Sequence, residues 1–367
     1  MNATRELQQA GQSLWLDNIT RGILNDGTLA RYIQDLAVSG LTSNPTIFHK
    51  AIDQSDLYDE AIALKAEAGQ SGEDLFFNLA IEDLQRAADL FRPVHEATQG
   101  VDGWVSLEVS PLLAADAPAT IKAAVALHRL AARANLYIKI PGTQAGLAAI
   151  EESIFRGVPI NVTLLFSTDQ YVDAASAYMR GIERRLNADL DPVVSSVASL
   201  FVSRWDVAAN DQVSADLQNC LGIAMAKTAY EAYLELQASP RWRILADAGA
   251  RHQRLLWAST GTKDPKASDT LYIQALAAPD TINTIPENTL LAFADHGHVA
   301  GVLSEDSGDA AQILAKFQQA GVNLDKLADQ LLIEGTQSFE KSWKALLASI
   351  SSKSKDLNKV KRSGTAK

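Results

Sequence analysis

The sequence predicts one α/β domain, a closed (β/α)8 barrel of the TIM type. Three observations carry this expectation. Eight short strand-like segments recur along 367 residues and alternate with helical stretches. Such alternation builds a parallel sheet with helical crossovers, and eight units in one domain close into a barrel. No Gly-rich dinucleotide fingerprint follows the first strand, which argues against the alternative, an open doubly wound sheet.

The segments are "SLWLDNI" (13–19), "GLTSNP" (40–45), "WVSLEVS" (104–110), "LYIKIP" (136–141), "INVTLLF" (160–166), "VVSSVASLF" (193–201), "RLLWAST" (254–260) and "INTIP" (282–286). The unit around the fourth strand is the clearest. Thr143 can cap the following helix, Leu147, Ile150 and Ile154 form its apolar stripe, and Gly157 suits its stop. Long helical connections are expected over 46–103 and 203–250. The single boundary is placed near residue 352, giving a barrel domain over 1–352 and a basic, disordered, flexible tail over 353–367.

Composition bounds the class of protein. With 47% hydrophobic and 21% charged residues the chain has ample material for a large core. A net charge of −11 disfavours binding of nucleic acid over the general surface. The tail, with Lys353, Lys355, Lys359, Lys361, Arg362 and Lys367 against Asp356, reads as a solvated run. The single cysteine, Cys220, excludes an intrachain disulfide and reads as a core thiol. No signal core or membrane span is visible, so the expectation is a cytoplasmic protein with no membrane partner.

Strand side chains alternate between faces. Leu136, Ile138 and Ile140 should meet the helices, which turns Tyr137 and Lys139 into the barrel. The same alternation turns inward Asp17, then Ser106 with Glu108, then Asn161 with Thr163. Ser199 shares a face with Phe201, and Trp257 with Ser259, while Leu164 is assigned to the helix side. Branched apolar residues usually fill a barrel, and inward polar groups are costly unless satisfied. Each of these lies near the C-terminal end of its strand, where barrel enzymes place their sites. A structural ion pair among Lys139, Asp17 and Glu108 is the alternative for each residue taken singly.

This set permits imine chemistry. Burial disfavours the charged form of an amine, and a neutral amine attacks a carbonyl to form a Schiff base. Carbon–carbon cleavage then needs a carboxylate to take a hydroxyl proton and a shuttle for water. Asp17 and Glu108 could fill these roles without a metal or cofactor. Arg204 after the sixth strand, and "ASTGTK" (258–263) after the seventh with Lys263, suggest a phosphate subsite. The motif "ADHGHV", with Asp295, His296 and His298, reads as a polar helix start rather than a metal site. His49, His95, His128 and His252 are scattered, and the six Trp read as core.

Two stretches carry a family resemblance. "GLTSNPTIFHKAI" (40–52) and "LYIKIPGTQAGLAAIEESIFRGVPINVTLLFS" (136–167) resemble the signatures of the transaldolases, and the likeness runs from about Leu14 to "ADHG" at 294–297. The resemblance implies a class I aldolase-type barrel that needs no cofactor and acts on phosphorylated sugars. It implies that Lys139 is the Schiff-base lysine, Asp17 the acid/base of carbon–carbon cleavage, and Glu108 with Thr163 the pair that handles water. Asn44, Asn161 and Ser199, with Thr42 and Phe201 beside them, match positions that bind the dihydroxyacetone unit. Arg204 and Ser259 match phosphate-binding positions. In the better-known branch an arginine sits two positions after the residue matching Ser259. Here that residue is Gly261, and Lys263 is assigned the second cation. The "WASTGTK" form resembles a longer branch related to fusions with a sugar-phosphate isomerase, for which this chain has no room. The implied reaction moves a dihydroxyacetone unit from sedoheptulose 7-phosphate to glyceraldehyde 3-phosphate, in the non-oxidative pentose phosphate pathway. The oligomeric state is left open.

Overall fold

A computed structural model describes residues 2–364, with side chains through Leu357. All eight expected strands form: β1 (Ser13–Leu16), β2 (Val38–Leu41), β3 (Val105–Glu108), β4 (Leu136–Pro141), β5 (Ile160–Leu165), β6 (Ser196–Phe201), β7 (Arg254–Ala258) and β8 (Ile282–Ile285). They make one sheet in the order β2-β1-β8-β7-β6-β5-β4-β3, and every strand pair is parallel. The ends of that order meet through a parallel bridge between Gly40 and Trp104. Gly40 is needed there: a Cβ would lie 2.6 Å from the Trp15 ring and 2.8 Å from the Trp104 carbonyl oxygen. The bare backbone lets β2 and β3 close the barrel.

Two apolar layers follow from strand alternation. Leu14, Leu16, Val105, Leu107, Leu136, Ile138 and Ile140 pack outward against the helices, as expected. Inside, Trp15, Tyr137 and Trp104 stack toward the N-terminal end of the barrel, the last two with centroids 4.1 Å apart. All six Trp are buried. The helix after β4 runs Gln144–Phe155, capped by Thr143 through its bond to the Gly146 amide, and Gly157 follows its end at φ +80°.

Two strand ends depart from simple alternation. The β5–β6 register shifts between Val162 and Leu165, and Leu164 takes φ +59°. That twist turns Leu164 to the inner layer beside Phe166, not toward the helices as expected. On β7, Leu256 and Ala258 face inward and Trp257 packs outward, reversing the expected face. Ser259 still reaches the barrel mouth because the strand has ended and its backbone turns at φ +55°.

Three further expectations change. Cys220 is only partly buried, at the position preceding the helix Leu221–Ala238. Asp295 and His296 end the helix Glu287–His296 instead of starting one, and His296 bonds Asp269 and Asp295. The boundary near residue 352 falls within the helix Leu324–Gly364, where Lys353 donates to the Ser55 carbonyl and to Asp59. Residues 365–367 of the expected tail lie outside the described residues.

The C-terminal helix positions part of the site. Its Ser342 accepts a bond from Thr46 on the helix Pro45–Asp53, and Trp343 donates to Glu73. It also passes close to Arg204, on the helix Ser203–Ala209 that follows β6. No helix among the described residues is long and apolar enough to cross a membrane.

Candidate active site

The candidate residues converge on a cavity of about 300 Å³ at the C-terminal mouth of the barrel. All of them line it except Glu108 and Asn161, which lie behind its wall. A surface groove of about 1060 Å³ between the helices Ala117–Ala131 and Gln144–Phe155 contains none of them.

Register explains the convergence. Glu108, Lys139 and Asn161 are cross-strand partners on β3, β4 and β5, so one inward row carries all three. Lys139 is only 5% exposed. Its Nζ donates to the Ser43 carbonyl at 3.0 Å and stands 3.4 Å from Glu108 Oε2. That carboxylate oxygen is buried with no hydrogen-bond partner, and so is Thr163 Oγ1 on β5. Burial raises the Glu108 carboxyl above its ordinary pKa, against the opposing pull of Lys139.

Asp17 follows β1 and is tied to the barrel wall. Its amide donates to the Ile285 carbonyl, and its carboxylate accepts from Thr42 Oγ1 at 2.7 Å. Part of its surface opens to the cavity while the barrel encloses the rest. Burial raises its pKa; Lys139, the Thr42 hydroxyl and, more weakly, Lys263 oppose this. An acid so placed takes up a proton more readily than an exposed aspartate.

The remaining groups fall into two sets. Asn161 joins its neighbours: Ser199 donates to its carbonyl at 2.7 Å, and its amide nitrogen donates to Ser106 at 3.2 Å. Asn44 lines the cavity and caps the helix Pro45–Asp53 through its side-chain oxygen, which leaves its amide nitrogen without a hydrogen bond among the described residues. Phe201 closes the wall beside them, at 8% exposure.

The second set is cationic. Arg204 and Lys263 both line the cavity, and among the described residues neither side chain makes a hydrogen bond or a salt bridge. Burial lowers the pKa of Arg204. Ser259 lies beside them, its hydroxyl 3.0 Å from that of Ser203. The Lys263 ammonium lies 3.8 Å from where a Gly261 Cβ would be, so it folds back over the glycine. Two cations that make no hydrogen bond or salt bridge among the described residues, with a hydroxyl at hand, make a receptor for an anion.

Lining residues that the sequence reading did not single out include Lys50, Thr284 and Phe339. Thr284 shares a hydrogen at 2.7 Å with Thr42, and alternation in "INTIP" could have found it. Lys50 lies one helical turn beyond Thr46 and so shares its face. Phe339 had no local signal, since it comes from a distant helix. Among the described residues no cluster of three or more His, Cys, Asp or Glu could hold a metal ion.

Comparison with known proteins identifies the family. Residues 14–350 match the family model described as Transaldolase/Fructose-6-phosphate aldolase. A protein named transaldolase from Frankia alni is 44% identical over 99% of this chain and 99% of its own length. Transaldolase 2 from a Nostoc species is 39% identical over 98% of this chain and 100% of its own length. A transaldolase from Saccharopolyspora erythraea is 44% identical, covering 94% of this chain and 95% of that protein.

Proposed function

The chain belongs to the transaldolase/fructose-6-phosphate aldolase family and its function is that of a transaldolase, a transferase; from that premise we propose how its residues divide the reaction. Lys139 Nζ attacks the C2 carbonyl of a ketose phosphate. Water leaves and an iminium forms. Asp17 removes the proton of the C4 hydroxyl, the C3–C4 bond breaks, and its electron pair passes into the iminium to give an enamine. The aldose phosphate departs. Attack of the enamine on a second aldose, with Asp17 returning the proton, reverses these steps, and water then releases the new ketose.

Sedoheptulose 7-phosphate and glyceraldehyde 3-phosphate are the donor and acceptor under this reading. The orphaned oxygens of Glu108 and Thr163 flank Lys139 and suit the water that imine formation releases and hydrolysis consumes. Asn44 and the Ser199–Asn161 pair suit the dihydroxyacetone hydroxyls, with Phe201 and Thr42 shaping the wall. Arg204, Ser259 and Lys263 suit the phosphate.

The observation that carries this reading is a buried lysine held against a buried carboxylate, lining a cavity that Arg204 and Lys263 also line with no hydrogen bond or salt bridge among the described residues. Borohydride reduction in the presence of fructose 6-phosphate tests it. A stable dihydroxyacetone adduct on Lys139 is expected, and its absence removes the mechanism. A coupled assay separates transfer from simple aldol cleavage: free dihydroxyacetone released without acceptor at the transfer rate would sink the transferase assignment.

A further inference from the structure

Arg204 is unusual among the arginines of this chain in what surrounds it. Its guanidinium carbon lies 5.3 Å from the ring centre of Phe201 and 5.9 Å from that of Phe339. Phe201 belongs to β6, but Phe339 arrives from the helix Leu324–Gly364. At the point where that helix approaches, residue 335 is glycine. A Cβ there would lie 3.1 Å from Arg204 Nη1 and 3.0 Å from Leu164 Cδ2. Glycine inside a helix costs stability relative to alanine, so its use at the point of contact indicates a close approach.

The chemistry of this contact is selective. A carboxylate partner would neutralise Arg204 and occupy its forked donors. Aromatic faces attract the cation through the ring quadrupole and leave its N–H groups free. Arg204 also lines the cavity, and among the described residues its side chain makes no hydrogen bond. Glu334, on the same helix, favours the charged form from a distance without a salt bridge.

We infer that the C-terminal helix holds Arg204 in its phosphate-reading pose, with Phe339 and Gly335 as positioning residues. The inference rests on the reading of Arg204 as a phosphate contact. It makes selectivity for phosphorylated sugars depend on a segment more than 130 residues away in sequence.

The experiment is a double-mutant cycle with fructose 6-phosphate as donor. Phe339→Ala should raise KM about tenfold, the loss expected for a desolvated cation–π contact, while kcat changes far less. Turnover of unphosphorylated fructose should fall much less than that of the phosphate. Phe339→Tyr should restore the wild-type KM, and Phe339→Leu, which keeps bulk without a ring face, should behave as the alanine variant and carries the test if that variant does not fold. In an Arg204→Ala background Phe339→Ala should add nothing. A full additional loss there, or an unchanged KM in a folded Phe339→Ala or Phe339→Leu variant, overturns the inference. An unchanged KM in Arg204→Ala alone overturns the phosphate reading itself, and the inference with it.

Discussion

The ammonium of Lys139 and the carboxylate of Glu108 face each other at 3.4 Å across adjacent parallel strands, both almost wholly buried. The contact is longer than an ordinary charge-assisted hydrogen bond. It leaves one Glu108 oxygen unsatisfied, and the Thr163 hydroxyl on β5 is unsatisfied as well. A purely structural ion pair would be expected to close this gap, whereas a working amine must be able to leave its partner.

Lys139→Ala should abolish both borohydride trapping and turnover, by at least about a thousandfold, because it removes the amine that forms the imine. The fold should survive, since Glu108 and Asp17 can take up protons in place of their lost cation. Circular dichroism and a thermal melt check the fold. Turnover above a few per cent of wild type would contradict the assignment of the nucleophile.

Asp17→Asn should separate the chemical steps. Trapping on Lys139 should persist while turnover drops about a hundredfold or more, the range for losing a general base. A stability effect follows from the same burial. The folded pKa of Asp17 is raised above 3.8, so ionisation disfavours the folded state once the pH exceeds that value. The variant should therefore melt higher than wild type at pH 7, and the gain should shrink as pH falls toward 4. A variant that melts lower at pH 7 argues against this electrostatic account.

Lys263→Ala should raise KM for fructose 6-phosphate by about ten- to a hundredfold, the loss expected for a charge-assisted hydrogen bond to phosphate. Steady-state kinetics with phosphorylated and unphosphorylated donors check this. Equal losses for both donors would place Lys263 outside the phosphate subsite.

Asp206 offers a test away from the chemistry. It is buried, accepts bonds from the Gly222 amide and the Tyr272 hydroxyl, and burial pushes its pKa up to about 6. With the folded value above the unfolded 3.8, its contribution to stability is present below about pH 4 and is lost as pH rises through 6. The difference in melting temperature between Asp206→Asn and wild type should thus shift in favour of the variant from pH 4.5 to 7.5. The full effect is at most about 3 kcal/mol. A difference that stays flat across that range would refute the raised pKa.

By itself the sequence determined the eight strands, the inward row of Glu108, Lys139 and Asn161, and the cap of the helix after β4. These are local properties: a period of two fixes a face, and a threonine before a helix fixes its start. Tertiary structure decided what local pattern could not. Leu164 and Ser259 take left-handed backbone conformations at the barrel mouth, so side-chain alternation fails there and Trp257 turns outward. Lys263 folds over Gly261 to reach the cavity from a loop whose shape no periodicity encodes. Phe339 reaches Arg204 from a helix at the far end of the chain, which has a glycine at the point of approach. Such approaches depend on how distant elements pack, and alternation along one strand carries no information about them.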